Sequence, residues 1–69
     1  MFDRNPAIDR KVIVNLFSGN AIEGICTKVK PTYLLRAAIL HEHGVEGPMP
    51  LDGEISVDQS NVDFVQLLD

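Results

Sequence analysis

Apolar or small residues recur at every second position over residues 11–17 (Val12, Val14, Leu16) and over 21–29 (Ile22, Gly24, Cys26), and the polar tripeptide Ser18-Gly19-Asn20 separates the two runs. Alternation with a period of two gives a strand one buried face and one exposed face. Two such runs joined by a short turn that contains glycine predict a β-hairpin. Gly24 lies inside the second run, where a glycine indicates a bend or a close approach of two backbones.

Three further strands are predicted, over residues 33–40, 54–57 and 62–68. The first of these is apolar except for Arg36 and would also suit a helix, but it is short and lies between turn-rich stretches, which favours a strand. Residues 41–53 hold three glycines and two prolines and are predicted to form a loop, whereas 59–61 are predicted to form a turn or one 3₁₀ turn. Together these elements predict an all-β fold, a small five-stranded, strongly bent antiparallel barrel.

The first ten residues differ from the rest of the chain. Residues 1–10 show no periodicity and contain the turn signal Asn5-Pro6. We predict that they form an extended N-terminal arm, followed by a single barrel domain over 11–69. Such an arm either has no order of its own or is ordered by lying on a neighbouring subunit. Phe2 and Ile8 are the apolar residues that could anchor it there.

Size and composition limit how the chain can be stabilised. A domain of 69 residues has a small core and is commonly reinforced by disulfides, metals or oligomerisation. The hydrophobic fraction of 45% is that of a folded domain. The single cysteine, Cys26, excludes an internal disulfide and is predicted to be buried, and no Cys/His cluster has the spacing of structural zinc. Oligomerisation is the reinforcement that remains.

Charge is divided unevenly along the chain. All six Lys and Arg occur by residue 36, against three acids, which gives a net charge of +3; residues 37–69 hold seven acids and no Lys or Arg, a net charge of −7. The two halves could attract each other between copies, or the asymmetry could have no consequence. No broad basic surface for nucleic acid is indicated. No apolar run reaches the roughly 20 residues of a membrane span, and the N-terminus has no signal-peptide core.

The chain offers little catalytic or metal-binding chemistry. His41 and His43 stand two residues apart, with Glu42 and Glu46 nearby. Two imidazoles on one face could hold a divalent metal, but no third ligand has supporting spacing, so we predict no metal site and interpret the histidines as solvated loop residues. No nucleophile with a poised base and no phosphate-binding loop is present. The chain is therefore predicted not to be an enzyme and to need no cofactor.

The last predicted strand has the sequence VDFVQLL. A strand at the edge of a sheet offers unpaired backbone groups to another chain, although the same strand could instead close its own barrel. We predict that it forms a homo-oligomeric interface through Val62, Phe64 and Leu67. Full burial of each of these side chains would contribute about 1.5–3 kcal/mol.

Two groups of residues have the spacing of a known family's motifs. They are Val12, Val14, Leu16, Gly19, Gly24 and Ile25 in the first half of the chain, and Val57, Asn61, Val62, Phe64 and Val65 in the second. In this pattern residues 11–68 resemble the Sm/LSm family of small barrels. The resemblance implies an Sm-like barrel whose subunits join into rings by pairing of their last two strands.

The same resemblance implies RNA binding, which is the alternative function. Its contact residues would be Lys28, Lys30, Tyr33 and Arg36. The family's base-binding Asp and Asn correspond here to Lys30 and Leu34, and its Arg-Gly pair corresponds to Asp58 and Gln59. Asp58 would repel a phosphate, and Tyr33 is the aromatic residue near this loop that could stack on a base.

In its overall sequence pattern the chain is also similar to short proteins encoded among the virion genes of tailed phages of actinobacteria. The similarity lies in residues 31–35, 39–42, 50–54 and 60–66. It implies a non-catalytic virion component, such as a minor capsid, decoration or connector-associated protein, which is the leading hypothesis. Its partners would be itself and a larger viral particle, with no membrane. It would be located in the virion or in the cytoplasm of a bacterial host.

Overall fold

The computed structural model describes residues 5–68 and contains, within that range, six strands and one short helical turn. The strands are β1 (Lys11–Leu16), β2 (Ala21–Lys28), β3 (Thr32–His41), β4 (Met49–Pro50), β5 (Ile55–Asp58) and β6 (Val62–Leu67), and a 3₁₀ turn spans Gln59–Asn61. Phe2, one of the two predicted arm anchors, lies outside the described residues.

All the strand pairs are antiparallel, and the order in the sheet is β4–β3–β2–β1–β6. β5 pairs with the first half of β3, along the same edge that pairs with β4 in its second half. β5 and β6, the strands at the two ends of the curved sheet, are not hydrogen-bonded to each other. The predicted bent antiparallel barrel is confirmed, and so are the turn after β1, the strand at 33–40 and the 3₁₀ turn.

Gly24 marks the point where β2 bends against β3. A Cβ atom placed on Gly24 would lie 2.9 Å from the Arg36 carbonyl oxygen and 3.3 Å from the Ala38 Cα atom. The register of the two strands shifts at this point, and Ala37 has a φ of 51°. Because only a residue without a side chain allows two backbones to come this close, the expectation for Gly24 is confirmed.

The core is built mainly from the inward-facing residues of β1, β2 and β3. The buried apolar residues are Ala7, Val12, Val14, Ile22, Cys26, Val29, Leu35, Ala38 and Val57. Cys26 is a free thiol with no exposed area, as predicted, and desolvation by burial raises its pKa. A buried thiol of raised pKa is a poor nucleophile, so Cys26 acts as a small apolar core residue.

Residues 5–10 form a series of turns against the core of their own chain, so the predicted extended arm is wrong for this described part of it. Asn5 Oδ1 accepts a hydrogen bond from the Ala7 amide at 2.9 Å, and the Asp9 amide donates to the Cys26 carbonyl oxygen at 2.6 Å. Ala7 is buried, and Ile8 packs against the core of its own chain. A role for Ile8 in contacts with a second subunit stays a prediction, as does the division of the chain after residue 10.

The prediction of a loop over residues 41–53 is wrong in one respect. Met49 pairs with Leu40 and Pro50 pairs with Ile39, and these pairs form β4. The pairing is set by the second half of β3, which continues past the bend and offers its edge. Proline is unfavourable in most strand positions, so the local sequence around Pro50 does not predict β4. Both residues of β4 and the connection that leads to it are exposed.

Candidate nucleic-acid and subunit interfaces

β5 and β6 each leave one edge without a strand partner in the described chain. β5 pairs only with β3, and β6 pairs only with β1. Along β6, Phe64 is 54% exposed and Leu67 is 39% exposed. Unpaired backbone groups and exposed apolar side chains on the same strand are the features that pairing with another chain requires.

The interface residues predicted on β6 do not all lie on one face. Val62 pairs with Leu16 and Phe64 pairs with Asn15, and the register shifts between these two β1 residues. Because such a bulge breaks the simple alternation of a strand, Val62 packs against the core while Phe64 stays exposed. The part that Val62, Phe64 and Leu67 would play between subunits stays a prediction.

An open groove of about 270 Å³ lies beside β6. Its lining residues are Tyr33, Gln59, Val62, Asp63, Phe64 and Val65. The structure therefore brings Tyr33, predicted for RNA, together with Val62 and Phe64, predicted for a subunit contact. A groove bordered by two aromatic residues suits a planar ring or an apolar side chain of a partner.

Gln59 connects this groove to the turn between β2 and β3. Its Nε2 atom donates a hydrogen bond to the carbonyl oxygen of Val29, which immediately precedes the exposed Lys30. Asp58 fixes the start of the 3₁₀ turn, because its Oδ1 atom accepts hydrogen bonds from the Ser60 amide and hydroxyl, both at 2.9 Å. The amide bond first, and the hydroxyl bond after it, lower the pKa of Asp58.

The four residues predicted to contact RNA separate into two groups. Tyr33 shares a face of β3 with the fully buried Leu35 and packs against the core. Arg36 is exposed on the opposite face of β3. Lys28 and Lys30 are exposed at the end of β2 and in the turn that follows. Lys28, Lys30 and Tyr33 therefore lie in or next to one turn, whereas Arg36 lies on the other face of β3. Contact of any of the four with RNA stays a prediction.

Glu23 links the three middle strands on the outer face of the sheet. Its Oε2 atom lies 3.1 Å from Lys11 Nζ on β1, and its Oε1 atom lies 3.1 Å from His41 Nε2 on β3. The hydrogen bond from Lys11, and next the one from His41, lower the pKa of Glu23, although burial opposes them. The Glu23 side chain is 18% exposed, but those of Lys11 and His41 are 55% and 43% exposed, so water screens both contacts.

The two histidines belong to different local contacts. His41 contacts Glu23, and the backbone amide of His43 donates to Asn20 Oδ1 at 2.8 Å. No three His, Cys, Asp or Glu side chains between residues 5 and 68 are grouped so that they could hold a metal ion. The same part of the chain has no helix with the length and apolar character needed to cross a bilayer.

Sequence reasoning missed Glu23 and Gln59 as organising residues. Glu23 can be matched with Lys11 and His41 only when the register of three strands is known. Gln59 contacts Val29, which is 30 residues away in the chain. A polar residue in a predicted turn gives no signal of so distant a partner.

A comparison with solved structures decides the fold. A heptameric archaeal Sm protein, described for its implications for the eukaryotic snRNP core, matches this chain with a TM-score of 0.77 and 25% sequence identity, over 91% of both chains. The fold is Sm-like. No protein-family model matches the chain, and no curated protein does.

This likeness corrects the leading hypothesis of the sequence analysis. The hypothesis of a virion component is wrong, because the similar structure is that of a heptameric Sm protein and agrees with the alternative of an Sm-like ring. Nothing in the comparison connects the chain to a capsid, a connector or a larger viral particle. The location of the protein is not tested by it.

Proposed function

We propose that this chain assembles into a homo-oligomeric Sm-like ring that binds single-stranded RNA and has no enzymatic role. The observation that carries the proposal is the likeness to a heptameric Sm protein over 91% of both chains. The two unpaired edges support it. A subunit that offers one edge and accepts another builds a head-to-tail repeat, and such a repeat can close into a ring.

Ring assembly would pair β5 of one subunit with β6 of the next. Every strand pair within the subunit is antiparallel, and an antiparallel junction would continue the same hydrogen-bond pattern between subunits. Phe64 and Leu67 would lose exposed area there, at about 1.5–3 kcal/mol for each side chain that becomes fully buried. This gain would supplement the small core of a 69-residue domain.

RNA would contact the turn between β2 and β3 and the adjoining end of the groove. Lys30 offers an exposed charge for a phosphate, and Tyr33 offers an aromatic ring on which a base could stack. Gln59 holds this turn through its bond to Val29. Lys30 and Leu34 occupy the positions of the family's base-binding Asp and Asn, so we expect weak preference among bases.

The ring is tested by the mass of the protein in solution. Light scattering on the wild type should give a multiple of the 7.6 kDa subunit. Phe64→Ser should lower that mass while the circular dichroism spectrum stays unchanged. Val45→Ser is the matched control, because Val45 is 53% exposed and lies in the connection between β3 and β4, outside β5 and β6. A wild type that stays monomeric as its concentration is raised would contradict the ring.

RNA binding is tested by fluorescence anisotropy with short, labelled single-stranded RNA. Lys30→Ala and Tyr33→Leu should each weaken binding, the latter by the roughly 1–3 kcal/mol that stacking on one base contributes, and affinity should fall as salt rises. Lys11→Gln is the control, since that lysine is already paired with Glu23. Absence of binding by the wild type, or equal loss in the control, would contradict RNA contact at this turn.

A further inference from the structure

The two strands that the proposed ring would join each carry one exposed carboxylate. Asp58 is the last residue of β5 and Asp63 is the second residue of β6, and both are exposed. Residues 37–68 hold six Asp and Glu and no Lys or Arg. Asp58 and Asp63 are the two of these acids that lie on the edge strands, whereas the other four, at positions 42, 46, 52 and 54, lie in the connections between β3 and β5.

We propose that like charge on these two edges opposes assembly, so that subunits associate more strongly as the ionic strength rises. The inference rests on the proposed ring. In an antiparallel junction, the end of β5 on one subunit lies beside the start of β6 on the next, which brings Asp58 near Asp63. Paired strands lie about 4.7–4.9 Å apart, well within the Debye length of about 10 Å at 0.1 M salt.

Among the described residues, Lys30 is a cation that would offset part of this repulsion. Asp58 pairs with Thr32 in β3, and Lys30 stands in the turn just before Thr32. With Lys30 counted, the junction still holds two carboxylates and one ammonium. Repulsion between two carboxylates about one strand spacing apart in water should lower the association constant by about two- to fivefold at each junction. A closed ring repeats this junction once per subunit.

The test is the protein concentration at which half of the chain is assembled, measured without RNA by sedimentation velocity in about 50 mM and about 500 mM sodium chloride, a range over which screening becomes strong. For the wild type this midpoint should fall at least about twofold in the higher salt. Asp63→Asn should lower the midpoint in low salt and leave little further change in high salt. Asp58 is left intact, because its carboxylate also holds the 3₁₀ turn.

Two further variants separate edge charge from general effects of salt. Asp63→Lys places an ammonium beside Asp58 of the next subunit, so its salt dependence should reverse, with tighter assembly in low salt. Glu46→Gln is the matched control. It removes one exposed carboxylate from the connection between β3 and β4, outside both edges, and should behave like the wild type.

The outcomes distinguish this inference from the proposed function. Rings whose midpoint ignores salt, or in which Asp63→Asn and Glu46→Gln shift equally, would overturn the inference and leave the ring intact. Wild-type rings that loosen as salt rises would overturn it as well. If the wild type, Asp63→Asn and Asp63→Lys are all folded and monomeric in both salts, the proposed ring fails and the inference fails with it.

Discussion

The middle strands of this barrel, β1, β2 and β3, differ from the edge strands, β5 and β6, in how deeply their side chains are buried. Val12, Val14, Cys26 and Leu35, from β1, β2 and β3, have no exposed area, whereas β6 has no buried residue and displays Phe64 at 54% exposure. Glu23 connects β1, β2 and β3 through Lys11 and His41, whereas β5 and β6 each carry one exposed carboxylate, Asp58 and Asp63. The comparison indicates that the middle strands supply most of the core of one subunit, whereas the edge strands leave backbone groups and apolar side chains exposed.

Leu35→Ala should cause the largest loss in the free energy of unfolding of the subunit. Leu35 is fully buried, so its truncation should lower the free energy of unfolding by about 2–5 kcal/mol, which approaches the whole stability of a domain this small. Urea denaturation followed by circular dichroism measures it. Leu67→Ala, on the edge, should cost less than about 1 kcal/mol at concentrations where the chain is monomeric; equal losses in the two variants would remove the distinction between middle and edge.

Gly24→Ala should have the next largest effect. The added methyl group would meet the Arg36 carbonyl oxygen at 2.9 Å, and relieving such a contact typically costs about 1–3 kcal/mol. The change is measured by the same denaturation curves. Gly47→Ala is the control, because that glycine has open space around it but a φ of 88°, and its cost should stay at the roughly 1–2 kcal/mol of a left-handed residue. A smaller loss at Gly24 than at Gly47 would refute the bend as described.

Gln59→Leu tests the contact between the 3₁₀ turn that precedes β6 and the turn between β2 and β3. The variant removes the hydrogen bond to the Val29 carbonyl oxygen, and we expect a loss of about 0.5–1.5 kcal/mol in the free energy of unfolding. Hydrogen exchange should show faster opening of the turn between β2 and β3. Asn61→Leu, in the same 3₁₀ turn, should leave exchange at that turn unchanged, and an equal acceleration there would argue against a specific role for Gln59.

Glu23→Gln should have the smallest effect, and pH reveals it. The pKa of Glu23 is lowered in the folded chain, so the carboxylate contributes stability above its unfolded pKa of about 4.3, and that contribution disappears as the pH falls through the lower folded value. At pH 7 the variant should lose about 0.2–1 kcal/mol. Thermal unfolding between pH 7 and pH 3 should show the gap between wild type and variant closing in acid; a gap that widens would contradict this sign.

How far the sequence predicted the molecule depends on whether a feature is local. Alternation over 11–17 and 21–29, and the glycine at 24, are properties of neighbouring residues, so the hairpin and its bend could be foreseen. The orientation of Val62 could not, because it depends on an irregular pairing of β6 with β1, which lies far away in the chain. β4 was not predicted, because its two residues form a strand only by pairing with the second half of β3.

The site was less predictable than the fold for the same reason. Lys30 and Tyr33 were chosen for their chemistry, and the structure places both beside one turn. The connection that holds this turn, from Gln59, joins residues far apart in the chain and has no sequence motif. A ring of subunits is proposed only through the resemblance to Sm barrels, since no pattern within one chain indicates which of its strand edges will pair with another subunit.

The pairing of β1 with β6 also sets the order in which the subunit can form. β1, β2 and β3 meet their partners through short connections, whereas β6 must return to β1 across a sequence separation of about 50 residues, as in the contact between Asn15 and Gln66. Long-range pairing is the slow part of β-sheet folding. During translation, β6 also leaves the ribosome after the other five strands. Until it arrives, β1 keeps a free edge, and two chains made side by side can exchange their last strands at that moment, before either has closed.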